Sequence, residues 1–513
     1  MRKNILTALF TLSFFTILDR VLGFLFKIWL SRELGATNLG VYQVALSFFF
    51  VLLTATTSGI PLIVSKSTAL YRAKNDQKSE GAITSASLIV GATLALIICA
   101  LVLIFFIPIK ATFTDEQSAI VLLFLLPALI FSAIYSGFRG NLWGRQKYFA
   151  VSIVEIIEQI ARIIACFLLF LVGVNKLHAT AISLSIGCFV SMACVFFCFI
   201  RAKSKLCSPK GYILPLIKSS TPITLSRAGS NVTSSLIAIV VPFLLLSSGF
   251  SETKALALYG SSVGMALPLL YIPITIVGSL AFVMIPALSE SVAKNDYSRV
   301  NSQITSATGF SIILSALFVP IFFVLGEQIG LFVYDDLSSG LFLSRSAWLL
   351  VPLAVENITS SLMNSLDLEK QSFINYAIGA VLTFVVMFAF YGAFDISVLS
   401  FAMGLGWSVS TLLHIRSIKK RTDMSVKPLL FTLLKSVALL FPTVFITKSI
   451  FSLCVSLPSF LSLAIPSVVA VLFFSALALV FNLVDIDFFF PSSQRKNFSK
   501  KNQKRQAKRL LIK

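Results

Sequence analysis

The stretch from Ala82 to Ile107, AITSASLIVGATLALIICALVLIFFI, holds 26 residues without a single charge. A helix rises about 1.5 Å per residue, so a run of this length can cross a hydrocarbon core of about 30 Å. Because no backbone donor can be left unpaired in lipid, helix is the default conformation for such a run. The stretch therefore predicts a transmembrane helix.

Apolar runs of similar length recur along the whole chain. We count fourteen, at 5–30, 39–64, 82–107, 118–138, 149–174, 179–200, 213–247, 255–286, 304–325, 341–364, 373–394, 396–415, 428–449 and 461–485. The fold class that we expect is an all-α polytopic membrane protein with 14 transmembrane helices.

The composition of the 513 residues agrees with that expectation. Hydrophobic residues make up 57% and charged residues 12%, against about 25% charged residues in a typical soluble protein. This composition excludes a soluble enzyme, a secreted disulfide scaffold and a disordered chain. Six of the seven cysteines lie inside apolar runs and only two histidines occur, so we expect no metal site and no cofactor. We expect the first 30 residues to be a retained span and not a cleaved signal peptide.

The 42 Lys and Arg residues are distributed unevenly between the predicted connections. With the N-terminus inside, 31 of them fall on the inner side and 7 on the outer side. The positive-inside rule then places both termini in the cytoplasm of a multi-pass cell-membrane protein. Residues 492–513 form a polybasic cytoplasmic tail that we expect to be attracted to anionic lipid.

Short sequence echoes indicate an internal repeat. The tetrapeptide AKND occurs at 73–76 and again at 293–296, after predicted spans 2 and 8. We therefore predict two six-helix lobes related by an axis along the membrane normal, followed by two extra helices. The predicted boundaries are 1–210 for spans 1–6, 211–423 for spans 7–12, and 424–491 for spans 13–14.

Polar side chains form a stripe on the first helix of each predicted lobe. The stripe residues are Ser13, Thr16, Arg20, Gly23 and Lys27 in span 1, and Ser220, Thr224, Arg227, Asn231 and Ser234 in span 7. Charges are costly in mid-membrane, so we expect both stripes to line a basic, water-filled cavity between the lobes. Two alternatives stay open: the arginines pair with carboxylates elsewhere, or the long cations, Lys27 above all, snorkel to the interface.

Acidic residues inside the spans have different predicted roles. Glu155 and Glu158 share a helix face with Arg162, which predicts a structural ion pair. Asp19 and Glu356 are candidate ion-coupling residues. For Asp19 the alternative is that it tunes or pairs a neighbouring basic group.

Two segments carry a resemblance to a known family. They are DRVLGFLFKIWLSRELGATNLGVYQ at 19–43 and RGNLWGRQK…EIIEQIAR at 139–162. The chain resembles the multidrug/oligosaccharidyl-lipid/polysaccharide exporter superfamily, and within it the stage V sporulation protein B and MurJ-type lipid II flippase branch. It departs from the MurJ pattern at Phe26 and Lys27, where that branch has an Arg-Asp pair, and at Ser261–Val263, which lacks a basic residue.

The resemblance implies a flippase and not an enzyme. Its cargo would be an undecaprenyl-pyrophosphate-linked saccharide, either lipid II or a polysaccharide repeat unit, moved from the inner to the outer leaflet by alternating access. The implied cargo ligands are Arg20, Lys27, Arg32 and Arg227 for the diphosphate, and Ser13, Thr224 and Asn231 for the sugar. Two other functions stay open, a drug/cation antiporter and a membrane-embedded polysaccharide polymerase or ligase. We expect a monomer with membrane lipids and cell-wall synthesis proteins as partners, and no nucleic acid.

Overall fold

A computed structural model describes residues 2–392 and 396–483 of the chain. Every regular element in these two ranges is helical, and neither contains a β-strand. The predicted all-α polytopic membrane fold is therefore confirmed. The predicted basic tail at 492–513 lies outside the described residues, as do the side chains of Ser13 and Arg227.

The chain divides into two compact units. The first comprises Met1–Pro268, Val333–Ser339 and Phe388–Leu399, and the second comprises Leu269–Phe332, Gly340–Met387 and Ser400–Lys513. The predicted lobe boundary near residue 210 and the internal repeat of the lobes stay predictions. A division into compact units does not test whether one set of helices superposes on another.

Long helices that pack side by side form the first unit. In chain order they are α1 Arg2–Thr57, α2 Ile60–Ala73, α3 Gln77–Ile104, α4 Phe106–Thr112, α5 Glu116–Gly144, α6 Tyr148–Leu171, α7 Lys176–Arg201, α8 Ile213–Ser247 and α9 Glu252–Tyr259, followed by a π-helical stretch Gly260–Ala266.

A kink divides α1 into two arms. Gly35 has φ 70° and ψ 170°, a conformation that side chains with a Cβ rarely adopt. The second arm then packs closely against the α9 region, since a Cβ at Gly40 would collide with the carbonyl of Leu256. The two arms of α1 thus contain the first predicted span and most of the second, whose last residues belong to α2.

Helices of the second unit follow the same pattern. They are α10 Leu267–Ala293, α11 Tyr297–Tyr334, α12 Leu337–Ser346, a 3₁₀ turn Ala347–Leu349, α13 Leu350–Ser365, α14 Glu369–Phe390, α15 Ser397–Thr422, α16 Lys427–Cys454 and α17 Ser459–Val480. Phe474 of α17 is fully buried in a cluster with Ala316 of α11 and Leu439 of α16.

The repeated AKND tetrapeptide has the same local structure in both units. Asn75 and Asn295 adopt left-handed conformations with φ of 56° and 55°. The aspartates that follow, Asp76 and Asp296, each accept a hydrogen bond from the backbone N–H three residues later, as N-caps of α3 and α11. The sequence echo is therefore also a structural echo, although superposition of whole lobes stays a prediction.

Eleven helices within the described ranges are long and apolar enough to cross a membrane. The exact number of fourteen stays a prediction. Ile17–Ala73 counts once among the eleven although Gly35 divides it. Helix α6 is not among them and carries three charged residues in its middle, Glu155, Glu158 and Arg162.

Candidate functional site

A cavity of about 500 Å³ opens among α1, α2, α5 and α6, entirely within the first unit. We refer to it as the first-unit cavity. The residues that line it are Asp19, Leu53, Thr57, Ser58, Pro61, Leu62, Ser132, Tyr135, Ser136, Arg139, Trp143, Glu155, Glu158 and Gln159.

Helical periodicity explains why α5 and α6 supply most of the polar lining. On α5 the lining positions are 132, 135, 136, 139 and 143, and on α6 they are 155, 158 and 159. Steps of three and four residues keep these side chains on one face of each helix. The opposite face of α6 presents Ile160, Ile164, Phe167 and Leu171 outward. Helix α6 is thus apolar on one face and polar on the opposite face, which lines the cavity.

An ion pair between α5 and α6 stands at the cavity wall. Arg139 Nη2 lies 2.8 Å from Glu155 Oε1. The Arg139 guanidinium also lies 4.2 Å from the centroid of the Trp143 ring, within the range of a cation–π contact. The structure therefore corrects the predicted partner of Glu155. Arg139 contacts Glu155 from the neighbouring helix α5, whereas Arg162 lies two turns further along the same helix as Glu155.

Arg162 contacts α1 instead. Its Nη2 donates a hydrogen bond of 3.1 Å to the hydroxyl of Tyr42, and its guanidinium lies 5.2 Å from the centroid of the Phe26 ring. No ion pair joins it to Glu158 in the described part of the chain, although the two charges are close enough to interact. Lys27 is half-buried and within electrostatic range of Arg162. Arg162 thus ties α6 to both arms of α1.

The charge of the first-unit cavity differs from the basic lining that the sequence suggests for a cavity between lobes. Three carboxylates, Asp19, Glu155 and Glu158, and one guanidinium, Arg139, are among the described lining residues. Asp19 forms no ion pair with any described residue, and Glu158 Oε1 accepts a hydrogen bond of 3.9 Å from the thiol of Cys188. The formal charge of this lining is therefore negative.

Two predicted cations of span 1 lie elsewhere. Arg20 is exposed and is not a lining residue, although its neighbour Asp19 is. Arg32 is exposed as well, and its Nε donates a hydrogen bond of 2.8 Å to the carbonyl of Val333 in the same unit. Arg227 and Ser13 lie outside the described residues in their side chains, so their predicted roles stay predictions.

Two predicted sugar ligands on α8 take part in helix packing. The hydroxyl of Thr224 accepts a hydrogen bond of 3.2 Å from the backbone N–H of Gly59. The amide of Asn231 donates to the hydroxyl of Thr54. The Asn231 contact holds α8 against the end of α1, and the Thr224 contact holds it against Gly59, the N-cap of α2.

Glu356 belongs to the second unit. It is half-buried on α13 and within electrostatic range of Tyr271 on α10. It forms no ion pair with a described residue. The structure thus places the two candidate coupling residues, Asp19 and Glu356, in different units.

Six lining residues of α5 and α6 were missing from the sequence prediction: Ser132, Tyr135, Ser136, Arg139, Trp143 and Gln159. A signal for the α5 set existed in the spacing of Ser132, Tyr135, Ser136, Arg139 and Trp143, which follows a helix face. Arg139 stands near the end of an apolar run, where the positive-inside rule favours a cytoplasmic connection over a cavity wall. Among the described residues, no group of three or more His, Cys, Asp or Glu side chains could hold a metal ion.

Comparisons with known proteins bear on what this architecture does. The family model described as polysaccharide biosynthesis protein matches residues 5–292. Stage V sporulation protein B of Bacillus subtilis (strain 168) is 27% identical over 426 residues, 80% of this chain and 82% of the relative. Lipid II flippase MurJ of the same organism is 23% identical over 476 residues, 83% of this chain and 85% of the relative.

Two solved structures share the fold. Lipid II flippase MurJ in an inward closed conformation aligns with a TM-score of 0.71 and 17% identity, covering 92% of this chain and 98% of that one. The inward-facing conformation of a multidrug resistance MATE family transporter of the MOP superfamily aligns with a TM-score of 0.68 and 14% identity, covering 81% and 98%.

These matches define a multi-pass membrane protein with the MurJ and MATE transporter fold. The chain belongs to the polysaccharide biosynthesis protein family, whose model covers more than half of its length. The predicted family resemblance is confirmed. The expectation that the chain is not an enzyme is confirmed by the relatives, among which are a protein named as a flippase and one named as a transporter.

Proposed function

We propose that this protein is a flippase that moves an undecaprenyl-pyrophosphate-linked saccharide from the inner to the outer leaflet. The observation that carries the proposal is similarity to MurJ along nearly the whole chain, in sequence over 83% of it and in fold over 92%. Lipid II and a polysaccharide repeat unit share the prenyl diphosphate and the saccharide, so both belong to the proposed cargo class.

The proposed cargo has three chemically different parts. Arginine can bind the oxygens of a diphosphate through two parallel hydrogen bonds, and Arg20, Lys27, Arg32 and Arg227 are the cations that we assign to it. The polyprenyl tail stays in lipid, where α16 and α17 present apolar side chains such as Phe445 and Leu472. Alternating access would carry the polar head across while the tail remains in the bilayer.

The proposed setting is the cell membrane, with both termini in the cytoplasm and the protein acting as a monomer. The support is the distribution of Lys and Arg, of which 31 fall on the inner side. A reporter enzyme that works only in the cytoplasm should be active when it is fused after Lys513. Activity of a reporter that works only outside would contradict this orientation.

Complementation provides the test of function. The main lipid II flippase of a bacterial host is depleted, and this chain is supplied from a plasmid. We expect cytoplasmic lipid II to become accessible again to an outside probe. As a matched control, Glu33→Gln removes an exposed carboxylate that pairs with Lys176 and should complement as well as the wild type. Lipid II that stays inaccessible with well-expressed wild type would exclude lipid II as cargo.

A second candidate function is a drug/cation antiporter. The acidic lining of the first-unit cavity favours it, because Asp19, Glu155 and Glu158 would attract a cation. Proteoliposomes that contain this chain would then accumulate an organic cation under a proton or sodium gradient. Flipping of a lipid-linked saccharide without such accumulation would exclude the antiporter.

A further inference from the structure

We propose that the first-unit cavity binds the saccharide portion of the cargo and excludes its diphosphate. This inference rests on the proposed function and deepens it, because it assigns one part of the cargo to one set of side chains. Four observations support it: the size of the cavity, its charge, its unpartnered donors and its aromatic wall.

Size separates a saccharide from an ion. The cavity measures about 500 Å³, within the range of about 300–1,000 Å³ that is typical of small-molecule sites. At about 30 Å³ per water molecule it could hold on the order of sixteen waters. A bare cation would need oxygen ligands that converge at about 2.3–2.6 Å, and no such group of carboxylates occurs among the described residues.

Charge separates a saccharide from a diphosphate. The described lining contains three carboxylates and one guanidinium. That guanidinium, on Arg139, is already paired with Glu155 at 2.8 Å. A diphosphate would bring further negative charge beside Asp19 and Glu158, and like charges brought together in a confined site repel. A neutral or amino-bearing sugar carries no such penalty.

Unpartnered polar atoms point to a ligand with both donors and acceptors. The hydroxyl of Tyr135, Nε of Arg139 and Nε2 of Gln159 are buried without a hydrogen-bond partner. Tyr135 is 8% exposed and lines the cavity. Buried polar groups are rarely left unsatisfied, so these three lining side chains have hydrogen-bonding capacity left for a ligand. Together with the carboxylate of Asp19, they provide donors and acceptors of the kind that sugar hydroxyl groups need.

The aromatic wall supplies the remaining contact. Trp143 and Tyr135 both line the cavity. The electron-rich face of an aromatic ring attracts positively polarised C–H groups, which a pyranose ring presents on its face. Arg139 lies against the Trp143 ring and is itself held by Glu155, so the ion pair fixes the orientation of the tryptophan. Glu155 is thus a positioning residue for the proposed site, whereas Arg139 both positions Trp143 and offers its unpartnered Nε to the ligand.

Direct binding to the full-length protein in lipid nanodiscs tests the proposal. The probes are the disaccharide chitobiose, inorganic pyrophosphate and sodium chloride, and the readouts are tryptophan fluorescence and calorimetry. We expect saturable binding of the disaccharide. Asp19→Asn and Gln159→Leu should weaken it about 10-fold or more, and Trp143→Phe about 3- to 10-fold.

Two matched controls separate the cavity from the rest of the protein. Trp348→Phe removes a tryptophan of the second unit, and Glu33→Gln removes a carboxylate outside the cavity. Both should bind the disaccharide as the wild type does. Disaccharide affinity that is unchanged in Asp19→Asn, Gln159→Leu and Trp143→Phe would overturn the proposal. The proposal would also be overturned if the wild type bound pyrophosphate or sodium but not the disaccharide, and if these three variants lost that binding.

Flipping is measured in parallel in proteoliposomes, so that the two proposals can fail separately. Suppose that the wild type flips a lipid-linked saccharide and that the cavity variants flip it as fast and bind the disaccharide as tightly. That result would overturn the cavity assignment and leave the proposed function intact. Wild type that flips no such lipid would overturn the proposed function. Fluorescence size-exclusion profiles that match wild type establish that each variant is folded.

Discussion

The buried ion pair between Glu80 and Arg145 leads to our most quantitative prediction. Arg145 Nε lies 2.5 Å from Glu80 Oε1, and the two side chains are 10% and 3% exposed. A second ion pair in the same unit, Lys176 with Glu33, has almost the same N···O distance of 2.6 Å, but its side chains are 52% and 37% exposed. Distance is thus nearly constant between the two pairs while burial differs.

The surroundings of Glu80 determine the size of the effect. Its carboxylate also accepts a hydrogen bond from Asn141, whose carbonyl accepts one from Ser204, and Arg145 donates a second bond to the carbonyl of Ala202. Arg145→Met would leave the carboxylate buried without its countercharge. Breaking a buried pair in this way costs about 3–5 kcal/mol, whereas an exposed pair is worth about 0–1 kcal/mol.

We therefore expect Arg145→Met to lower the free energy of unfolding by about 3–5 kcal/mol and Lys176→Met by less than about 1 kcal/mol. The measurement is equilibrium unfolding of the purified full-length protein in lipid bicelles. The double variant Glu80→Leu, Arg145→Met should be more stable than Arg145→Met alone, since no charge stays buried. Equal losses for Arg145→Met and Lys176→Met would refute the reasoning, because burial would then not decide the cost.

Three further predictions concern single positions. Arg20→Ala should abolish flipping in proteoliposomes and Arg20→Lys should retain part of it, since a lysine keeps the charge but loses the bidentate fork; full activity of Arg20→Ala would contradict this. Hydrogen bonds from Ser79 hold the pKa of Asp76 below its ordinary value of 3.8. The ionised Asp76 carboxylate therefore stabilises the fold above pH 3.8, and this contribution is lost as the pH falls through the lowered pKa. In thermal scans, the melting temperature of Asp76→Ala should fall less at acid pH than that of the wild type. Gly40→Ala should lower the free energy of unfolding by about 1–3 kcal/mol, because its Cβ meets the carbonyl of Leu256; an unchanged value would contradict that packing.

Hydrophobic run length was sufficient to predict the fold class. Each run such as 82–107 had only one way to satisfy its backbone in lipid, so local sequence decided its structure. The AKND echo was informative for a similar reason, since a left-handed Asn followed by an N-capping Asp is a local motif. The number of spans and their first and last residues were less predictable where charges interrupt an apolar run, as in α6, or where a kink does, as at Gly35.

Partners of charged side chains could not be predicted from spacing. Glu155 and Arg162 share a helix face, yet Glu155 pairs with Arg139 of α5 and Arg162 with Tyr42 of α1. Within one helix, seven residues place two groups about 10 Å apart along the axis, whereas a neighbouring helix can bring a partner into direct contact. Thr224 and Asn231 show the same limit, because their contacts with Gly59 and with Thr54 of α1 depend on tertiary packing.

The two proposals, taken together, require the polar head of the cargo to be divided at one point on α1. Consecutive residues of a helix point about 100° apart, so Asp19 can line the first-unit cavity while Arg20 stays exposed beside it. A saccharide held by Asp19 would then have its diphosphate directed to the face that carries Arg20, outside the acidic lining. The division is testable in the single variants. Asp19→Asn should weaken binding of the disaccharide and slow flipping, whereas Arg20→Ala should abolish flipping of the lipid-linked cargo and leave disaccharide binding intact. Loss of disaccharide binding in Arg20→Ala as well would mean that the two residues act on one part of the cargo.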